Sequence, residues 1–361
     1  MMVGLLCIST SLAQPAEKIF ARNAMDLLNI DMQWFLSYTS GTNKEVRINE
    51  FNLKRGYVNI KKIINKQMSG RITTDITIDR EGDGEGDVEI RLKYLYLDYY
   101  LPNIGILYRP YIEIGLVHLP WIDFEQYINP YRVQGTMFLE RNHVVSSGDY
   151  GLLFAAFFGG EMDQHYQNTV NKNFPGKYGS IALGIFNGGG YHALEKNENK
   201  TIQGRLTLRP FPAFLPGLQF SVHGVYGKGN IPQSPFWQFI SGYLSWEHPK
   251  ITLTAEYYHG FGNYECSALR DTMSFKALGQ NGFSVFGDWR LFRSNISLLG
   301  RFDYFTQIYP DHDLIGRRRI TGIAYHFIKG SKIIIDVDKN SYSNKGKAGS
   351  QIFEIAIELK Y

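Results

Sequence analysis

Along most of the chain, apolar and polar residues alternate, which is the pattern of half-buried β-strands. In the terminal stretch FEIAIELKY, every second residue from Phe353 to Tyr361 is apolar, and two glutamates and a lysine stand between them. Such a strand has one face suited to an apolar surface and one suited to water. Taken alone, it fits a soluble β-sandwich as well as a barrel whose outer face meets lipid.

Runs of this kind recur along the chain, each of about 8–13 residues, a length with which a tilted strand crosses a bilayer. Few segments have a helical period, and the best of them, residues 17–29, precedes the first strand. The alternation predicts about sixteen strands, at 31–38, 52–63, 68–78, 89–101, 111–119, 149–159, 178–186, 201–209, 217–227, 236–247, 251–261, 282–291, 295–306, 316–327, 332–338 and 350–361.

The connections between these strands alternate in length, as in a membrane barrel with both chain ends on one side. Short links such as NKQ, HPK and FRS follow long polar ones such as SGTNKEVRINE and NGGGYHALEKNENK. One link breaks the rule, because EMDQHYQNTVNKNFPGK (residues 161–177) should be short and is long. A soluble sandwich does not require this alternation. The pattern favours an all-β fold, a transmembrane antiparallel β-barrel of about sixteen strands.

Composition agrees with many strands, tight turns and aromatic girdles, since the 361 residues include 24 Tyr, 24 Phe and 37 Gly. Residues 1–13 resemble a cleaved export signal. Residues 14–29 would form a short periplasmic segment and residues 30–361 the barrel. With Cys7 in the signal, Cys266 would be the single cysteine of the mature chain, which excludes an internal disulfide. The net charge of +4 is too mild to indicate a nucleic-acid partner.

If the more apolar face of each strand meets lipid, its charged residues must face inward, because a charge near the bilayer midplane costs about 2–4 kcal/mol. Sixteen strands leave an aqueous channel that side chains do not fill, and cations along it would favour anions. Alternatively, Asp75 and Asp303 neutralise Arg71 and Arg301 and merely stiffen the wall. The expected pore-lining residues are Arg55, Arg71, Arg91, Lys93, Arg205, Arg209 and Arg301.

The longest connection, residues 120–148, is too long and too aromatic for a simple exposed loop. Its aromatic side chains, Trp121 and Phe124 among them, favour burial, whereas its charged side chains favour water. A loop folded into the lumen would satisfy both groups and narrow the pore; the alternative is packing on the outer rim. The expected constriction residues are Asp123, Glu125, Arg132, Glu140 and Arg141.

Signals for catalysis are absent from the sequence. It contains no P-loop, dinucleotide fingerprint, H-E-x-x-H or G-x-S-x-G motif. The acidic stretches DGEGD (83–87) and PDHDL (310–314) are interpreted as turns rather than metal sites. We therefore expect no enzymatic activity, no cofactor and no metal.

Five stretches carry a resemblance to a known family: FNLKRGYVNIKKIINKQMSGRITTDI, IEIGLVHLPW, VVSSGDYGLLFAAFFGG, YGSIALGIFNGGGY and IQGRLTLRPF…GLQFSVHGVYGKG. The chain resembles the phosphate-selective porin O and P family of Gram-negative outer membranes. The resemblance implies a sixteen-stranded, usually trimeric barrel whose third outer loop, here residues 120–148, folds inward. The family's selective members use an Arg ladder and a Lys cluster, and no Lys lies between Pro120 and Gly148.

These observations together predict a porin embedded in outer-membrane lipid. Small polar solutes would diffuse through its water-filled lumen, with a preference for anions and with phosphate as one candidate. A homotrimer is expected from the resemblance. The alternative is a plugged outer-membrane barrel that acts in binding or adhesion through its surface loops.

Overall fold

The computed structural model describes residues 28–80, 84–271, 273–291, 294–328, 330–344 and 346–361. The predicted export signal, most of the predicted periplasmic segment and Asp83 of the first acidic turn lie outside these ranges. Residues 28 and 29 of the predicted periplasmic segment belong to the first strand.

Sixteen strands form one closed antiparallel barrel, which confirms the predicted fold class. Each predicted strand is present, with ends that shift by a few residues. A small hairpin of β12 (Leu269–Asp271) and β13 (Lys276–Ala277) lies outside the barrel sheet. The barrel strands are β1 (Leu28–Asn43), β2 (Val46–Ile63), β3 (Met68–Ile78), β4 (Val88–Tyr100), β5 (Leu107–His118), β6 (Gly148–Phe158), β7 (Gly179–Phe186), β8 (Thr201–Leu208), β9 (Leu218–Lys228), β10 (Phe236–His248), β11 (Ile251–Phe261), β14 (Gly279–Arg290), β15 (Ile296–Ile308), β16 (Asp313–Ile328), β17 (Ser331–Tyr342) and β18 (Ser350–Lys360).

In the described ranges, three short helices lie in the connections: α1 (Ile122–Ile128), α2 (Phe138–Arg141) and α3 (Gln164–Thr169). Within the described part of the chain, no helix has the length and apolar character needed to cross a membrane.

The last strand closes the barrel on the first. β1 and β18 pair without interruption from Gln33 opposite Lys360 to Asn43 opposite Ser350. Beyond that ladder, Met32 and Tyr361 exchange both of their backbone hydrogen bonds, at 2.7 and 3.1 Å. The terminal strand therefore has a structural role, because its backbone pairing with β1 leaves the barrel without an unpaired edge.

The outer surface is apolar and the inner face polar, the reverse of a soluble core. On β8, Leu206 and Leu208 point outward and are 43% and 49% exposed, whereas Arg205 and Thr207 point inward and are 3% and 0% exposed. This belt suits contact with lipid. Two arginines of β16 are exceptions, and they lie over outward aromatic rings of β15: Arg317 over Tyr304 and Arg319 over Phe302.

Among the register shifts of the barrel sheet, the β-bulges of β2 and β4 each turn an additional lysine toward the interior. Arg55 pairs with Phe35 while Leu53 pairs with Leu36, so Lys54 is the extra residue of β2. In β4 the extra residue is Lys93. A bulge shifts the parity of all residues that follow it, which explains why the sequence pattern of β4 becomes ambiguous after Lys93.

The two ends of the barrel differ. One end, which we call the turn end, carries the first residue of β1, the last residue of β18 and most of the short links. The opposite end is called the loop end. The first loop-end connection, predicted to be long, is a two-residue turn because β1 and β2 extend beyond their predicted limits. Its residues Lys44 and Glu45 both have positive φ, 47° and 72°, as in a type I′ hairpin.

Candidate pore and its inner segments

The connection between β5 and β6, residues 119–147, folds into the lumen and is called the inner loop below. On one side it packs against the wall formed by β9, β10 and β11 in an apolar cluster. The fully buried Trp121 stacks on His223 with ring centroids 5.2 Å apart, and it meets Tyr243 edge-on at 5.1 Å. This aromatic anchor places the loop inside the barrel rather than on the outer rim.

On its other side the inner loop reaches the opposite wall. Tyr131 and Val133 belong to a second apolar cluster with Phe35, Tyr57 and residues of β14 to β18. The Tyr131 hydroxyl donates to Asp288 at 2.7 Å. The loop therefore spans the lumen. Packed side chains therefore fill part of the expected water-filled interior.

The charged residues of the inner loop are fixed by specific partners. Arg141 pairs with Asp303 of β15 at 3.2 Å, and Arg132 pairs with Glu140 within the loop at 3.4 Å. Asp123 lies 3.7 Å from Nε2 of His118. Glu125 is only 4% exposed, and this burial raises its pKa to about 7. The loop is thus held by charge as well as by apolar packing.

Four of the predicted pore-lining residues lie on the wall of β2, β3 and β4. Arg55 pairs with Asp75, and Arg91 lies 3.2 Å from Glu89. Arg71 contacts His118 at 2.9 Å and donates to Asn59 at 2.8 Å. Lys93 lies 4.7 Å from the ring centroid of Tyr57. Asp75 therefore neutralises Arg55 and not Arg71, and neither Arg71 nor Lys93 has a carboxylate within 4 Å among the described residues.

The other three predicted pore-lining residues face inward, but they are covered. Arg205, Arg209 and Arg301 are 3%, 1% and 6% exposed. Arg205 donates to the Pro120 carbonyl at 3.0 Å, and Arg301 donates to the Thr136 carbonyl at 3.3 Å and pairs with Asp303 at 2.8 Å. Placing these three along open water is wrong, because folded segments lie over them and accept their hydrogen bonds.

The long link that broke the length rule also folds inward, from the turn end. This stretch, residues 161–178, is called the turn-end segment. Asp163 caps α3 by accepting from the Tyr166 backbone N–H at 2.8 Å. Arg209 donates to the Tyr166 hydroxyl at 3.0 Å and to the Gly176 carbonyl. Asn171 donates to Glu247 of the wall at 3.0 Å.

The two inner segments meet inside the lumen. Phe174 of the turn-end segment packs edge-on against Phe124 of α1 at 4.9 Å, and its ring lies 6.0 Å from that of Tyr127. The Arg205 guanidinium lies 4.2 Å from the Phe124 ring centroid and 5.2 Å from that of Phe174. One buried cation of the wall thus holds the junction of both segments.

Sequence reasoning missed several interior charges. Lys54 pairs with Glu354 at 2.7 Å, and Lys332 pairs with Glu358 at 2.5 Å. The alternation of β17 and β18 could have identified Lys332 and Glu358, whose positions share the inward parity. Lys54 lies at a bulge, where no alternation rule applies.

Two recesses open at the turn end, one on each side of the turn-end segment. One, of about 340 Å³, lies between the β2–β6 wall and both inner segments. The other, of about 630 Å³, lies under Pro130 and is lined by Thr169 and Val170 and by residues at the turn ends of β10, β11, β14, β15 and β16. In the described ranges, no group of three His, Cys, Asp or Glu side chains is arranged to hold a metal ion.

No family model matches the chain, and no curated protein matches its sequence. Solved structures do match its fold. A loop L8 deletion mutant of OmpT, an outer membrane protein of Vibrio cholerae, is 10% identical with a TM-score of 0.60, over 93% of this chain and 100% of the other. Salmonella typhi OmpF in complex with daunomycin is 12% identical, with a TM-score of 0.60 over 92% and 97%. An anion-selective porin from Comamonas acidovorans is 9% identical, with a TM-score of 0.58 over 92% and 99%. These likenesses show a barrel of the porin type.

Proposed function

We propose that the protein is a porin of the Gram-negative outer membrane, through which small polar solutes diffuse passively. The observation that carries this proposal is a closed sixteen-stranded barrel with an apolar exterior, a charged interior and a loop folded inward. The porin-type fold supports it. The turn end would face the periplasm, because short turns face that side in such barrels.

The route through the lumen would follow the wall of β2, β3 and β4. The inner loop packs most of its apolar side chains against the other walls, whereas this wall carries two arginines that are only partly covered; its Lys93 is 4% exposed. Arg55 and Arg91 keep 30% and 28% of their side-chain surface exposed. Asp123, Arg132 and Glu140 of the inner loop would form the opposite side of the constriction.

A mild anion preference follows from the charges along this route. Asp75 interacts with Arg55, Arg91 and Lys93, and Arg71 has no carboxylate within 4 Å among the described residues, so cations outnumber carboxylates among these side chains and the local potential is positive. Phosphate remains one candidate, by resemblance to the phosphate-selective family. The inner loop has no lysine of its own, but Lys54 donates to its Gln134 carbonyl at 3.2 Å and brings a lysine to the constriction from the wall.

Bilayer recordings test this proposal. Purified protein should open stable channels, with a reversal potential in a KCl gradient that indicates anion preference. Arg71→Gln combined with Lys93→Gln should move that potential toward cation preference, while Arg317→Gln on the outer surface should not. Absence of conductance in repeated reconstitutions would reject the porin, and cation preference in the wild type would reject the role of the basic wall. Exchange of chloride for phosphate tests the selectivity.

A plugged barrel that acts in binding or adhesion is the second candidate. The observation that favours it is the amount of packed material in the lumen, since two apolar clusters and two inner segments occupy it. Conductance separates the two candidates, because a plugged barrel inserts without opening a channel. The homotrimer implied by the family resemblance is tested by native mass measurement in detergent.

A further inference from the structure

The 340 Å³ recess at the turn end exists because the turn-end segment is long. Residues 172–175 of that segment form one side of it, Asp123 and Tyr127 of the inner loop form its roof, and β2 to β6 form its wall. Its volume lies within the range of small-molecule sites, about 300–1,000 Å³. A minimal turn between β6 and β7 would leave this space open to the periplasmic side.

One side of the recess carries two carboxylates that have no Lys or Arg within 4 Å among the described residues, although Lys61 attracts Asp98 over a longer distance. Asp98 of β4 and Glu113 of β5 stand directly opposite each other, an arrangement that is destabilising for like charges. Ser69 donates to Asp98 at 2.5 Å, and Glu113 contacts Nδ1 of His118 at 3.1 Å. Glu113 is 4% exposed, and within the described chain only its Oε2 has a hydrogen-bond partner.

The other side of the recess carries cations. Lys61 of β2 stands opposite Arg71 of β3, and Lys172 extends from the turn-end segment into the lining. Neither lysine forms a hydrogen bond or an ion pair within 4 Å with any described residue. Across four neighbouring strands the wall therefore changes from positive to negative, with the two signs separated by roughly one or two strand spacings of about 4.8 Å.

Aromatic rings form the apolar part of the lining. Phe157 of β6 and Phe174 of the turn-end segment contribute apolar faces, and Tyr111 and Tyr127 contribute phenol rings. Pockets that hold small molecules combine such apolar surface with a few placed polar groups. Here the placed polar groups are of both charge signs, which distinguishes this recess from a simple anion site.

We propose that this recess is a binding site for a small zwitterionic solute of amino-acid or dipeptide size. The ammonium group of the solute lies between Asp98 and Glu113 and relieves their repulsion. Its carboxylate accepts hydrogen bonds from Lys61 or Lys172, and its apolar side chain lies against Phe157 and Phe174. As a solute site along a channel it rests on the proposed porin function, although the binding itself does not require conduction.

Equilibrium titration of the detergent-solubilised full-length barrel tests the proposal, with glycyl-phenylalanine as the probe. Two matched probes keep the ring and remove one charge each: N-acetyl-glycyl-phenylalanine lacks the ammonium, and glycyl-phenylalaninamide lacks the carboxylate. We expect the zwitterion to bind about tenfold more tightly than either, as expected for loss of a charge-assisted contact of about 1.4 kcal/mol. Equal affinity for all three probes, or no binding of any, overturns the proposal.

Variants then locate the site. Glu113→Gln and Lys172→Gln should each weaken binding of the zwitterion several-fold and reduce its advantage over the probe that lacks the matching charge. Glu50→Gln, which removes a carboxylate at the loop end, should leave binding unchanged. Because Lys172 is exposed on a connection, its variant should fold even where Glu113→Gln does not. Binding that is unaffected by Lys172→Gln in a folded barrel contradicts the assigned site.

Bilayer conductance, measured on the same preparations, separates this proposal from the porin function. A barrel that conducts but does not distinguish the three probes keeps its porin function and loses the zwitterion site. A barrel that binds the zwitterion selectively without conducting keeps the site and loses the porin function.

Discussion

Replacement of Trp121 by alanine should release the inner loop from the barrel wall. Trp121 has no exposed surface and contacts three aromatic rings, those of Phe124, His223 and Tyr243. Because the loop is not part of the barrel sheet, the loss should fall on loop docking and leave the sixteen strands paired.

The expected magnitude follows from the burial. Truncation of a fully buried tryptophan to alanine costs about 3–5 kcal/mol, and each 1.4 kcal/mol changes an equilibrium tenfold. The undocked population should therefore rise by about 10²-fold to several thousand-fold. The ion pair between Arg141 and Asp303 and the packing of Tyr131 remain, so the loop should exchange between docked and undocked states rather than leave the lumen permanently.

Trypsin cleavage and single-channel recording together measure this release. Arg132 and Arg141 have only 12% and 8% of their side-chain surface exposed while the loop is docked, so cleavage after them reports undocking. Trp121→Ala should be cleaved much faster than the wild type and should show larger, noisier conductance. Trp289→Ala, which removes an outward-facing ring that is 47% exposed, is the matched control. Unchanged cleavage and conductance in Trp121→Ala would refute the view that this ring anchors the loop.

Two further predictions concern the inner segments. Replacing residues 162–175 by Asn-Gly should join Glu161 to Gly176 through a two-residue hairpin, because these two residues already form a β-bridge. Single-channel conductance should then increase. An unchanged conductance would mean that the turn-end segment does not restrict the route. The raised pKa of Glu125 means that the docked loop binds the Glu125 proton more tightly than the free loop does. Docking should therefore be strongest below about pH 4.5, the ordinary pKa of a glutamate, and should weaken as the pH rises through about 7. Current noise should therefore increase from pH 5 to pH 8 in the wild type and change less in Glu125→Gln, whereas parallel behaviour of the two would contradict the linkage.

The contacts of Arg205, Arg209 and Arg301 show why inward-facing charge does not by itself identify a pore lining. Each guanidinium donates to a backbone carbonyl of a folded segment: Pro120, Gly176 and Thr136 respectively. A buried carbonyl requires a donor, since an unpaired one costs about 1–3 kcal/mol. These arginines therefore hold the inner segments in place, and the proposed route lies along Arg55 and Arg91, which keep 30% and 28% of their side-chain surface exposed.

The strand pattern was determined by the sequence alone. Alternation locates all sixteen barrel strands, because a side chain on the lipid face and its neighbour on the inner face meet opposite solvents, and the period of two follows directly from that difference. The aromatic character of residues 120–148 predicts an inward loop for the same reason, since rings such as Trp121 require burial that a surface connection cannot provide.

Only the tertiary structure decided which interior residues meet water. The bulges at Lys54 and Lys93 depend on how two strands pair. In β4 the sequence shows only a loss of clear alternation after Lys93, which does not identify the extra residue. The turn-end segment is visible in the sequence as an unusually long link, but its contacts with Glu247, Phe124 and Arg209 join residues that lie tens of positions away along the chain. Inward alternation alone does not distinguish a guanidinium that a loop covers from one that lies beside open solvent. Burial of an inward-facing residue is decided by these distant contacts.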